Sequence, residues 1–77
     1  MEDFRKIFIK RLTELLIENG EISRLAFSRK IQCDYHAVTN WFEGKFLPEL
    51  PSLLKLSNYF KVNIDYLLGL SENDNLS

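Results

Sequence analysis

The chain reads as an all-α protein, and three features of its 77 residues predict that class. Apolar residues recur at three- and four-residue intervals through most of its length, the spacing that lines one face of a helix. Ser23, Asp34 and Asn63 each stand directly before such a run, where a short polar side chain accepts a hydrogen bond from an orphan backbone N–H. Only three glycines and two prolines interrupt the sequence, which favours short connections over long irregular loops.

The first helix is expected from about Asp3 to Asn19, with Phe4, Ile7, Phe8, Leu12, Leu15 and Leu16 on its apolar side and Asn19-Gly20 as its stop. Arg5, Lys6, Lys10 and Arg11 decorate it and read as a solvated face. A second helix runs from the Ser23 cap to about residue 31 on Leu25, Ala26, Phe27 and Ile31. Gln32-Cys33 then turns the chain, and Asp34 caps a third helix from Tyr35 to Glu43, ended by Gly44. Two short capped helices around so brief a turn make a helix-turn-helix. Phe46-Leu47-Pro48 is extended, because residues before proline avoid the helical region. Pro51 enters the first turn of a fourth helix, where its missing N–H costs little. That helix carries Leu50, Leu53, Leu54, Leu56 and Phe60 on its apolar side. Asn63 caps a last short helix, Ile64 to Leu68, closed by Gly69. Residues 1–70 form one domain, and 71–77 are a polar, fraying tail.

Composition narrows the function classes. The sequence is 45% apolar and 13% aromatic, ample for a core, although a chain this short buries only about 60% of its unfolded surface. Cys33 is the sole cysteine, so no intramolecular disulfide forms. With charged residues through the N-terminal segment and no long apolar run, a soluble cytoplasmic protein without a membrane segment is expected. One Cys and one His fall short of the about four ligands of a structural zinc site, and Cys33 reads as a small hydrophobe packed into the turn. No glycine-rich phosphate loop or Ser/His/Asp arrangement is present, so the expectation is no enzyme, metal, cofactor or small-molecule ligand. The net charge of −1 argues mildly against a nucleic-acid partner. The charge is uneven, however: residues 24–46 carry a net +2 and residues 47–77 a net −2.

The third helix has two different faces. At about 100° per residue, Tyr35, His36, Thr39 and Asn40 fall within one arc of roughly 140°, while Ala37, Val38, Trp41 and Phe42 fill the opposite arc. Val38 and Trp41 belong to the core. The other arc offers hydroxyls, an imidazole and an amide, an inventory suited to reading base edges in a DNA groove. Asn40 suits a bidentate contact with adenine, Thr39 a thymine methyl or a phosphate, His36 a base edge, and Tyr35 phosphate or sugar. Arg24 and Lys45, at the start of the second helix and just past the third, suit the phosphate backbone. Taken singly, each of these side chains is as simply an exposed surface residue, and only the constellation carries the reading.

Ile22-Ser23 through Gly44-Lys45, then Leu47-Pro48 and Leu53-Leu54-Lys55-Leu56, resembles the Cro/C1-type (XRE-family) helix-turn-helix domain of phage repressors and bacterial regulators. The run Trp41-Phe42-Glu43-Gly44-Lys45 is similar to that family's W-E-x-G-K ending of the recognition helix. Val62-Asn63-Ile64-Asp65-Tyr66-Leu67-Leu68-Gly69 is similar to its V-S-x-D-Y-L-L-G close, and the resemblance spans about residues 4–70. It implies a five-helix, lambda-repressor-like domain with the helix-turn-helix at helices 2 and 3. It further implies a transcriptional regulator, most simply a repressor, that binds double-stranded DNA as a homodimer on a palindromic operator. By position, base reading falls to Tyr35, His36, Thr39 and Asn40 and backbone contacts to Arg24 and Lys45.

The dimer surface is expected at Tyr66, Leu67, Leu68 and Leu70, an apolar cluster too dense to leave exposed. Three positions depart from the family pattern. Gln32 stands where the turn glycine is usual, which predicts mild backbone strain. Ser28 replaces a small alanine and needs a hydrogen-bond partner. Phe42 replaces an acidic residue and so removes an ion pair with a first-helix arginine. The alternative function is an antitoxin-like or adaptor module that keeps the fold for protein interaction, favoured by the acidic pI of about 5.7 and by Phe42.

Overall fold

Side-chain caps fix where four of the helices begin. The computed structural model describes residues 3–21 and 23–73; Ile22, with which the family resemblance begins, lies outside them. Among the described residues the architecture is all-α: α1 (Phe4–Glu18), α2 (Arg24–Ile31), α3 (Tyr35–Phe42), α4 (Leu50–Phe60) and α5 (Ile64–Leu67). The side chains of Asp3, Ser23, Asp34 and Asn63 accept hydrogen bonds from the backbone N–H groups of Arg5, Ala26, Ala37 and Tyr66. Only α4 lacks a side-chain cap, and there Pro51 has no N–H to satisfy.

All five helices end in the same way. A residue in the left-handed region follows each, and the next backbone N–H returns to a carbonyl of the last turn: Glu21 to Leu16, Cys33 to Ser28, Lys45 to Asn40, Val62 to Ser57 and Leu70 to Asp65. Glycine supplies the left-handed residue after α1, α3 and α5. Gln32 (φ 57°) and Lys61 (φ 59°) supply it after α2 and α4, each at a cost of about 1 kcal/mol. The strain expected at Gln32 is therefore present, and Lys61 repeats it without any signal in the sequence. Gly69 is required twice over, because a Cβ there would meet Ile7 Cγ2 at 2.6 Å.

The core draws on every element: Phe8, Leu12 and Leu15 from α1, Phe27 and Ile31 from α2, Val38 and Trp41 from α3, Leu53 and Leu56 from α4, then Val62 and Leu67. Phe8 meets Trp41 edge-on with ring centroids 6.4 Å apart, and Phe27 packs against Tyr59 and Phe60 at 6.0 and 5.7 Å. Aromatic pairs at such spacing add to plain area burial. Ser28, 2% exposed, has the partner it needs: its hydroxyl donates to the Leu25 carbonyl at 2.7 Å.

Several residues depart from the sequence reading. Leu50 and Leu54, assigned to the apolar side of the fourth helix, are 62% and 48% exposed, and Phe4 and Leu25 also reach solvent. Leu53, Leu56 and Ser57 are buried on the narrow strip that α4 turns inward, with Tyr59 and Phe60 partly buried beside them, and Leu50 and Leu54 lie outside it. Cys33 is only partly buried, with Sγ 3.9 Å from Ser52 Oγ. The start of the expected tail is tied down rather than frayed: Arg11 donates to the Ser71 carbonyl at 2.7 Å and Asn63 Nδ2 to the Asn73 carbonyl at 2.6 Å. Residues 74–77 lie outside the described residues. No helix among the described residues is long and apolar enough to cross a membrane.

Candidate nucleic-acid interface

The corner formed by α2, the turn 32–34 and α3 gathers most of the residues singled out in the sequence. Its geometry is set at three points. Ser23 and Asp34 cap the two helix starts, and Lys55 reaches across from α4 to donate to the Gln32 carbonyl at 2.8 Å. That last contact holds the strained turn against the body of the fold. Glu21, just before α2, supplies a further anchor. Its carboxylate accepts from the Tyr59 hydroxyl on α4 and from Lys30 Nζ at 3.0 Å on α2. The Glu21 side chain is only 4% exposed. The Tyr59 hydrogen bond, then the Lys30 contacts, hold its carboxyl below the ordinary 4.5 despite burial. The same bond raises the Tyr59 phenol above 10.0.

On α3, Tyr35 and His36 are exposed in the first turn, and their rings meet edge-to-face at 6.0 Å. Asn40 is partly exposed one turn further on. Among the described residues these three side chains make no hydrogen bond and no ion pair within the chain. Thr39 differs. Its Oγ1 is buried and has no hydrogen-bond partner, so a hydroxyl contact with an outside group requires rotation about χ1. Val38 and Trp41 are core, as expected, and Phe42 packs partly buried against that core.

The two backbone candidates are held differently. Lys45 Nζ lies 3.5 Å from Glu43 Oε2, with both side chains open to solvent, an exposed pair that contributes little. The Arg24 guanidinium sits over the Phe42 ring, 4.8 Å from its centre. This stacking was not foreseen. The sequence reading placed Phe42 on the arc of α3 opposite the polar one.

The four residues expected at a dimer surface are not equally open. Leu67 is 0% exposed and belongs to the monomer core, so it is corrected from interface to core residue. Tyr66 is covered by the Arg11 guanidinium, 4.3 Å from its ring centre, and Leu68 packs partly buried against the core. Leu70 alone is largely open, at 62%. The short α5 turns Leu67 inward, which a density of apolar letters does not reveal. Sequence reading also missed Arg11 and Glu21, whose partners lie up to 61 and 38 residues away. No local pattern signals either. Among the described residues, no group of three or more His, Cys, Asp or Glu side chains is placed to hold a metal ion.

No family model, curated protein or solved structure matches the chain.

Proposed function

We propose that this chain is a sequence-specific, double-stranded-DNA-binding transcriptional regulator of the Cro/C1-type (XRE) kind, acting in the cytoplasm as a homodimer on a palindromic operator, most simply as a repressor. One observation carries the reading. Tyr35, His36 and Asn40 project from the start and middle of a well-anchored short helix with their polar groups unspent inside the fold. A helix that follows a tight turn and offers such groups in its first turns suits insertion into the major groove. Asn40 carries the adenine contact, His36 a second base edge, and Tyr35 the sugar-phosphate flank. Thr39 offers its methyl to thymine more readily than its hydroxyl, since the hydroxyl is turned inward. Arg24 and Lys45 bracket the helix with positive charge for phosphates.

Selection of bound sites from a random duplex library, followed by titration of the selected duplex, tests this reading. The expected product is a palindrome with half-sites about one helical turn apart. Asn40→Ala should then lose about 1–3 kcal/mol of discrimination at one base position. The exposure of Phe46, Leu50 and Leu54 favours the adaptor alternative. That alternative takes over if the chain binds no duplex even at low salt.

A further inference from the structure

Arg24 is the first helical residue of α2, at the positive end of the helix dipole, where a cation is disfavoured. Local helix stability therefore gives no reason for an arginine there. Among the described residues no carboxylate lies within 4.0 Å of it. Glu21 lines the same hollow of about 270 Å³, together with Thr13, Leu16, Ser23 and Phe42, yet both its oxygens are taken by Tyr59 and Lys30. What holds the guanidinium is the face of Phe42, at 4.8 Å.

Stacking differs from ion pairing in what it leaves over. A carboxylate at position 42 would draw the in-plane N–H groups of Arg24 into a salt bridge. An aromatic ring engages only the flat face and leaves those donors for another acceptor. Phe42 is also well placed along α3: it lies two turns from Tyr35 and roughly 20° from it around the helix axis. The ring therefore holds the cation along one edge of the polar arc. We infer that Phe42 is a positioning residue, whose ring holds the Arg24 guanidinium ready for a backbone phosphate of bound duplex. The inference rests on the DNA-binding reading and assigns a use to the residue that departs most from the family pattern.

The test uses the full chain with Phe42→Leu, Phe42→Tyr, Arg24→Ala and the Phe42→Leu/Arg24→Ala pair. Two measurements are made: the NMR shifts of the Arg24 side-chain protons, and affinity for a random-sequence duplex at low salt. In the unaltered chain the Arg24 δ and ε protons should be shifted upfield by the ring. Phe42→Tyr should keep that shift, and Phe42→Leu should abolish it while the remaining amide spectrum stays folded. Phe42→Leu should weaken duplex binding about three- to ten-fold, Phe42→Tyr should restore it, and Phe42→Leu should add nothing in the Arg24→Ala background. Additive losses, an affinity untouched by Phe42→Leu where Arg24→Ala lowers it, or unshifted Arg24 protons in the unaltered chain would overturn the positioning role alone. Absence of duplex binding by the unaltered chain would overturn the DNA-binding reading, and the inference with it.

Discussion

Arg11 and Arg24 are both arginines stacked on an aromatic ring, and the fold uses them in opposite ways. Arg11 lies over Tyr66 at 4.3 Å and has only 13% of its side chain exposed. Its Nη1 donates to the carbonyls of Tyr66 and Ser71 at 2.5 and 2.7 Å, and its Nη2 lies 3.4 Å from Glu72. Every bond it makes runs from α1 to the end of α5 and the segment after it. Arg24, at the α2–α3 corner, has the ring and none of the carbonyls. The difference lies in what the chain brings back to each cation. Where a later segment returns with free carbonyls, an arginine becomes internal structure; where none returns, its donors stay available to a partner.

Truncation should separate the two most sharply. Arg11→Ala removes charge-assisted hydrogen bonds and takes from the Ser71 carbonyl its Arg11 donor, while the Tyr66 carbonyl keeps the Gly69 N–H, so it should cost about 2–4 kcal/mol in urea unfolding. Arg11→Lys should recover less than half, because an ammonium lacks both the fork and the flat face. Arg24→Ala should stay within about 0.5 kcal/mol of the unaltered chain. Equal losses at the two positions would break the comparison and make Arg24 a structural residue.

That contrast also marks what was legible in the sequence. The caps at Ser23, Asp34 and Asn63 and the glycine stops were readable, because capping is local chemistry between residues two to five apart. The polar arc of α3 was readable for the same reason: helical period decides which side chains share a face. Period does not decide which faces another element covers. Leu50 and Leu54 were therefore assigned to the apolar side of the fourth helix and are exposed, whereas Leu67 was placed at an interface and is buried. Arg11 looked like one more charge on a solvated helix, since its partners lie 55 to 61 residues further on.

The two left-handed non-glycine residues sharpen the comparison at the level of the backbone. Gln32 lies in the corner and Lys61 between α4 and α5, with nearly equal φ of 57° and 59°. Gln32→Gly and Lys61→Gly should each relieve strain and stabilise by up to about 0.5 kcal/mol, after the entropy glycine restores to the unfolded chain. The Gln32 carbonyl keeps its Lys55 hydrogen bond in the variant, since that contact is to the main chain. A gain at Lys61 with a loss at Gln32 would show that the corner needs the stiffness of a side-chain-bearing residue.

Glu21 is to the corner what Arg11 is to the other end: one nearly buried charge that ties elements distant in sequence. Its effect should be smaller, and its pH dependence should appear in acid. Its carboxyl is held below 4.5 in the folded state, chiefly by Tyr59 and then by Lys30, so the unfolded chain binds its proton more readily. The resulting stability is present above about pH 4.5 and is lost as pH falls through the folded value. Tyr59 behaves inversely. Its phenol is raised above 10.0 by the same bond, so its contribution is present below that pH and is lost as pH rises through the folded value. Glu21→Gln should flatten the acid limb of a urea-midpoint profile taken between about pH 3 and 7. Glu72→Gln, which alters an Arg11 partner that is 96% exposed, should leave that limb unchanged. If both substitutions flatten it equally, the acid limb reports general charge and not the anchor at the corner. If neither does, the Tyr59–Glu21–Lys30 contact does not hold α2 against α4 in solution, and the anchoring of the α2–α3 corner rests on Lys55 and the caps alone.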